Sequence, residues 1–389
     1  TAYNAQVPGP LIRMTEGKTV SVDVVNKTAE PEMLHWHGFH IPPEVDGSHE
    51  EGTPMVMGFS QRRYTFTPSP SGTRWYHTHA MAGHILTKAG YSGQFGMVVV
   101  EPKSNPARYD LEVPVILHEW DGFFASDMGM DVDYRTFTIN GRMLGSGEPV
   151  RVKSGQRALL RILNASATAN HKLALSGHGF EVVALDGNPV PTPKTLDVLE
   201  LAPGERIDAI VEMKNPGIWV LGEVDDRQRN AGAGLVFEYA GAQGKPRWTA
   251  PPDSTWNYLQ FASGKTPESV SNRVPIVIEP GKDCYLWALN GKSYPNTAPF
   301  FVRQGQRNRL VFDNRAHMEH PVHLHRHTME IVNYAGKPTS GIKKDVIVVP
   351  AMSIVEADVF ADSPGPSLFH CHQQFHMDFG FMAMMQYSD

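Results

Sequence analysis

The stretch Phe369-His370-Cys371-His372-Gln373-Gln374-Phe375-His376 sets one of the chain's two cysteines between two histidines, with a third histidine four residues on. Side chains on a β-strand alternate faces, so His370 and His372 point to one side and Cys371 to the other. A strand of this kind serves two metal sites back to back, joined through the backbone of a single residue. A thiolate with imidazoles selects copper in trigonal geometry, and zinc or an iron–sulfur cluster where more thiolates are at hand. Cys284 is the only other cysteine, so a thiolate-rich site is excluded.

Three further non-overlapping His-x-His pairs occur, His35/His37, His77/His79 and His323/His325. With His370/His372 they make eight imidazoles, too many for one metal. They suit three coppers, two with three ligands and one with two, leaving open positions for oxygen and water. Cys371 needs two imidazoles of its own, and His320 and His376 remain on the same motifs. Together they make a His₂Cys centre. A closed zinc site takes four ligands and would leave this set unexplained. The other eight histidines, His40, His49, His84, His118, His171, His178, His317 and His327, are read as hydrogen-bonded core or surface residues.

The elements that position these groups repeat along the chain. Asn26 follows Ile12-Arg13-Met14-Thr15-Glu16-Gly17-Lys18, Asn164 follows Val150-Arg151-Val152-Lys153-Ser154-Gly155-Gln156, and Asn314 follows Phe301-Val302-Arg303-Gln304-Gly305-Gln306. The glycines and the trailing asparagines share the same offsets, 138 and then 150 residues. Counting nine residues on from each asparagine gives His35, Leu173 and His323, with His37, Leu175 and His325 two further along. Aligning the last strands through Trp75, Trp219 and Leu368 matches His77, Leu221 and His370, then His79, Glu223 and His372. The middle copy has lost every ligand, and only the third carries a cysteine between its last pair. The first and third copies should therefore meet at a pseudo-twofold interface.

With 35 glycines and 30 prolines punctuating short β-branched and aromatic runs, long helices are excluded and an all-β chain is expected. Each copy has strands around a Gly-centred turn, which suits a Greek-key β-sandwich. Boundaries are expected near 102 and 245, giving domains 1–102, 103–245 and 246–389, the last opening with a Pro/Ser/Thr-rich linker. The second copy has about 30 residues before Asn140 where the first has three before Asn4, so a leading strand is expected to be absent from the first. A net charge of -6 offers no basic face for nucleic acid or an anionic membrane, and no run of about 18 apolar residues could span a membrane. A monomer is compatible with the sequence, which does not define the assembly.

The motifs His35-Trp36-His37-Gly38, His77-Thr78-His79, His320-Pro321-Val322-His323-Leu324-His325 and His370-Cys371-His372 with His376 resemble the four signatures of three-domain, laccase-like multicopper oxidases of bacterial type. The resemblance covers essentially the whole chain. It implies three cupredoxin-like domains, four coppers, and a periplasmic or secreted location. By it, His320, Cys371 and His376 hold type 1 copper, and His35 and His323 type 2. One type 3 copper takes His37, His77 and His372, and the other His79, His325 and His370. It also implies one-electron oxidation of phenols or aromatic amines at type 1, coupled to reduction of dioxygen to two waters at the cluster. Cys371, His370 and His372 then carry the electrons. Asp46 falls where bacterial members have an acid that moves protons, although Glu44-Val45-Asp46-Gly47 is also a good turn sequence.

Departures from the pattern leave the second proton donor unidentified. Met377 stands where many bacterial relatives have glutamate, and Gln374 where fungal laccases have an acid. Asp378, nearby, is read as a solvated or turn carboxylate. The family's axial type 1 residue lies ten positions after the cysteine, at Phe381, which cannot donate to copper. Met382 could replace it only if a bulge beside Gly380 exchanged the two faces. Met55, Met57, Met128, Met130 and Met143 suggest cuprous-ion binding, but core or loop placement is the preferred reading. The alternatives to a laccase-like oxidase are a metallo-oxidase of Cu(I) and a copper-binding or electron-transfer protein without oxygen chemistry.

Overall fold

The computed structural model describes residues 1–104, 108–125, 131–283 and 285–388. Met128, Met130, Cys284 and the Asn105-Pro106 end of the first linker lie outside them. Six sheets form three β-sandwiches, with helices of at most five residues, as the glycine and proline content requires.

One sheet of each sandwich repeats the same order. In the first it runs Ile12–Thr15, Phe95–Glu101, Gly72–Thr78, Leu34–His37. In the third it runs Phe300–Arg303, Met382–Ser388, Ser367–Cys371, His320–Leu324, Val346–Val349. The middle sandwich has Val150–Val152, Gly234–Tyr239, Ile218–Glu223, His171–Leu175, Leu199–Leu201 in the corresponding places. The motif strands are neighbours in register, His35 opposite His77 and His323 opposite His370.

The middle copy corrects one detail of the repeat alignment. Leu173 lies opposite Glu223 and Leu175 opposite Leu221, whereas His35 lies opposite His77 and His323 opposite His370, so the match of Leu173 to His35 and that of Leu221 to His77 differ by two residues in register. A slip of two keeps every side chain on its own face, which is why the hydrophobic pattern could not reveal it.

The partner sheets differ between domains. Arg157–Asn164 and Arg307–Asn314 each pair in parallel with a preceding strand, Leu111–Phe124 and Asn272–Pro280. Their counterpart Val20–Val25 pairs with Gln61–Phe66 alone among the described residues.

Packing explains why the motif strands hold still. Trp36, between His35 and His37, is fully buried among Phe66, Tyr64, Tyr76 and Phe39 at centroid distances of 5.0–6.3 Å. Burying about 150–250 Å² at roughly 25 cal/mol per Å² is worth at most about 4–6 kcal/mol. That anchor on one face forces both histidines to the other. Cys371 likewise lies in the core shared by the second and third domains, together with Phe369 and Phe381.

Candidate metal centres

The four histidine pairs converge from the first and third domains. His35 stacks on His325 at 3.9 Å and 18°, and His37 on His323 at 3.8 Å and 7°. The first histidine of each domain thus meets the second of the other, the reciprocal contact a pseudo-twofold produces.

Donor nitrogens gather in threes with their ligand atoms within 4.8 Å of one another: His79, His325 and His370 form one group, and His35, His37 and His77 another. Nε2 of His370 lies 3.0 Å from that of His325 and 3.3 Å from that of His79, and Nε2 of His372 lies 3.3 Å from Nδ1 of His37. Nε2 of His35, His77 and His323 is buried without a hydrogen-bond partner. Crowded, buried, unpartnered imidazole nitrogens are what a metal would satisfy.

The opposite nitrogens are held by the protein. Nδ1 of His77 donates to the Thr78 carbonyl, of His370 to the Cys371 carbonyl, of His323 to the Asp345 carbonyl and of His35 to the Asp46 carbonyl, all at 2.8–2.9 Å. Such partners fix tautomer and ring direction for metal ligation. Burial first, then mutual repulsion, push His37, His77, His323 and His370 well below the usual imidazole range, and His372 to about 3. Those five imidazoles are neutral and ready to bind a cation.

Cys371 faces away from the cluster, as strand alternation requires. Its Sγ lies 3.5 Å from Nδ1 of His376 and 3.8 Å from Nδ1 of His320, and those two nitrogens are 3.2 Å apart. The three atoms form a tight triangle suited to trigonal copper. Burial raises the Cys371 thiol far above its ordinary range, so a bound cation is what would make it a thiolate. His376 rides on the one-turn helix Gln374–Asp378 that follows the strand.

Phe381 joins this group. Its ring is fully buried 5.0 Å from His320, and its carbonyl accepts from the Cys371 N–H. Met382 does not reach the thiolate. It lies opposite His370 in register and packs with Leu368 and Met377, because the two strands stay in phase. Gly380 adopts φ +105° without exchanging the two faces. Met55, Met57 and Met143 are exposed.

Asp46 sits on the short helix Pro43–Asp46, closed by Gly47, where a Cβ would come within 1.9 Å of the Leu34 carbonyl. That close approach to the motif strand buries the carboxylate completely. Its Oδ2 accepts from Nδ1 of His325 (2.8 Å) and lies 3.1 Å from Nδ1 of His35. Burial alone would raise its pKa, but the two imidazoles outweigh it and hold the group ionised.

The sequence reading missed Glu51. Its Oε1 accepts from the Leu368 N–H at 2.6 Å and lies 3.5 Å from Nδ1 of His325. Burial, then the charge of Asp46, push it well above the usual carboxylate range. Asp378 is half-buried, its Oδ2 accepting from the Ala82 and Gly83 N–H groups at 2.8 Å. Gln374 donates to Asp378 (2.8 Å) and lines a cavity of about 30 Å³ with His77, His79, His370 and His372, room for about two water-sized molecules. Among the histidines set aside as structural, His171 is clamped between Glu119 and Glu223, which outweigh burial and raise it to about 10.

Comparison with known proteins agrees with this geometry. Multicopper oxidase family models match residues 1–105, 118–241 and 251–389. The multicopper oxidase MmcO of Mycobacterium tuberculosis is 30% identical over 99% of this chain and 82% of its own. Among solved structures, the laccase from Botrytis aclada superposes with TM-score 0.79 at 21% identity, over 98% of this chain and 83% of its own. A multicopper oxidase from Campylobacter jejuni described as a metallo-oxidase gives 0.78 at 21%, over 100% and 87%. With three cupredoxin-type domains and these buried histidine and cysteine clusters, the chain belongs to the multicopper oxidases, oxidoreductases that reduce dioxygen.

Proposed function

We propose that this oxidase is laccase-like, taking single electrons from small phenolic or aromatic-amine donors at His376. The observation that carries this reading is a cleft of about 260 Å³ that reaches His376 and is walled by Val132, Thr168, Asn170, Met318, Glu319 and Gln373. Its walls are mostly polar, with Val132 and Met318 as apolar faces, so groups able to orient a hydroxyl or amine stand beside His376.

Four coppers would be held by these residues: one by His320, Cys371 and His376, one by His35 and His323, one by His37, His77 and His372, and one by His79, His325 and His370. When bound, the first supplies one-electron oxidation and the other three the four-electron reduction of dioxygen. The protein supplies the route between them. An electron arriving at Cys371 reaches His372 through the backbone, and reaches His370 also through the hydrogen bond from its Nδ1 to the Cys371 carbonyl. Each dioxygen needs four electrons and four protons, and Asp46 and Glu51, buried beside His325, are the acids placed to hand protons on.

A metallo-oxidase is the second reading, because Met318, Glu319 and Asp131 in the same cleft are also metal donors. Oxygen uptake with a panel of phenols, aromatic amines and Cu(I) separates the two. Turnover on phenols at least tenfold above that on Cu(I) is expected. Uptake with Cu(I) alone would replace the laccase reading.

A further inference from the structure

The domain without copper motifs packs on the eight-histidine centre through Ala165, Ser166 and Ala167 and through the turn Ala202-Pro203-Gly204-Glu205-Arg206. Gly204 has φ +84°, and a Cβ there would lie 2.7 Å from Cδ2 of His372, so the turn packs directly on that ring. Arg206, two residues on, is fully buried. Its Nη1 and Nη2 donate to Oδ1 and Oδ2 of Asp345 at 2.6 and 2.5 Å, a two-pronged pairing.

Asp345 in turn holds two rings of the centre. Its Oδ1 accepts from Nε2 of His37 at 2.9 Å, and its backbone carbonyl from Nδ1 of His323 at 2.8 Å. His35, His77, His323, His325 and His370 are all tied to backbone or carboxylate through Nδ1, whereas His37 is tied through Nε2. Asp345 therefore decides which nitrogen of His37 faces inward. Arg74 also approaches Asp345, at 3.5 Å, but its closer bonds go to the carbonyls of Asp186 and Ser71. Arg206 is the cation that fixes the carboxylate.

We propose that Arg206 is a positioning residue of the copper cluster: through Asp345 it turns Nδ1 of His37 and Nε2 of His323 toward the metals, so the copper-free domain sets the geometry of a site to which it gives no ligand. The proposal rests on reading the eight histidines as that cluster. It goes beyond domain cohesion, because its effect should fall on the cluster and spare the cysteine site.

The test compares copper per chain, the blue absorption of the Cys371 site, the paramagnetic signature of the cluster and oxygen uptake in wild type, Arg206→Met, Arg206→Lys and the double variant Arg206→Met/Asp345→Asn. The double variant removes both buried charges and so avoids an unpaired carboxylate. Both Met variants should keep the blue absorption while cluster copper affinity falls about 10- to 100-fold, the usual cost of losing a ligand's hydrogen-bonding support. Arg206→Lys should recover only part, since lysine cannot make the forked pair. Full cluster copper with an unchanged signature in a folded Met variant would overturn the proposal. Blue and cluster copper lost in equal proportion would also overturn it, because Arg206 would then merely hold domains together. Wild-type protein without cluster copper would overturn the cluster reading itself.

Discussion

Replacing Asp46 by asparagine keeps the shape of the side chain and removes its charge. Oδ2 of Asp46 serves His325 at 2.8 Å and His35 at 3.1 Å, so the change acts on two rings of the centre at once. A hydrogen bond to a charged group is worth about 1.5–3 kcal/mol and a neutral one about 1 kcal/mol. Two weakened bonds then cost about 1–4 kcal/mol, and at about 1.4 kcal/mol per factor of ten the centre of that range is near 10- to 100-fold. Oxygen uptake at saturating donor should fall by that factor. Anaerobic bleaching of the blue band by the same donor should not slow, because Asp46 touches neither Cys371 nor its two histidines. Losing the Asp46 charge also lowers the pKa of Glu51, whose elevation it helps to cause. Unchanged oxygen uptake in Asp46→Asn, or bleaching slowed as much as uptake, would refute the reasoning.

Phe381→Met should lower the reduction potential of the blue centre by adding an axial donor, while Met382→Leu leaves it almost unchanged; redox titration of the blue band reads both. Cys371→Ser should abolish the blue colour and turnover while cluster copper remains, as copper analysis with optical spectra will show. Burial raises Asp378 from 3.8 to about 6, against the opposing amides of Gly83 and Ala82. The native state therefore binds this proton more tightly than the unfolded chain. The stability it contributes is present below about pH 4 and lost as pH rises through about 6, roughly 3 kcal/mol at about 1.36 kcal/mol per unit. Thermal unfolding of Asp378→Asn should lack that decline, whereas parallel curves for variant and wild type would show that Asp378 is not its source.

The histidine pairs were legible because a spacing of two on a strand fixes a shared face, and three copies of one pattern fixed where those faces meet. The same alternation separates Phe381 from Met382. Glu51 was not legible. It follows Glu50 in a polar loop, and only the Leu368 amide, 317 residues away, makes it a buried acid. Asp345 and Arg206 escaped for the same reason, since their pairing crosses 139 residues and two domains and leaves no periodic trace. Asp378 reads as a solvated or turn carboxylate because nothing local shows that the Ala82–Gly83 loop folds over it.

The central claim is that ten histidines and one cysteine make two centres, one of them shared between the first and third domains. Copper analysis of fully loaded protein tests it most directly. Four coppers per chain, three of them surviving in Cys371→Ser, is the predicted result; one or two per chain would contradict it.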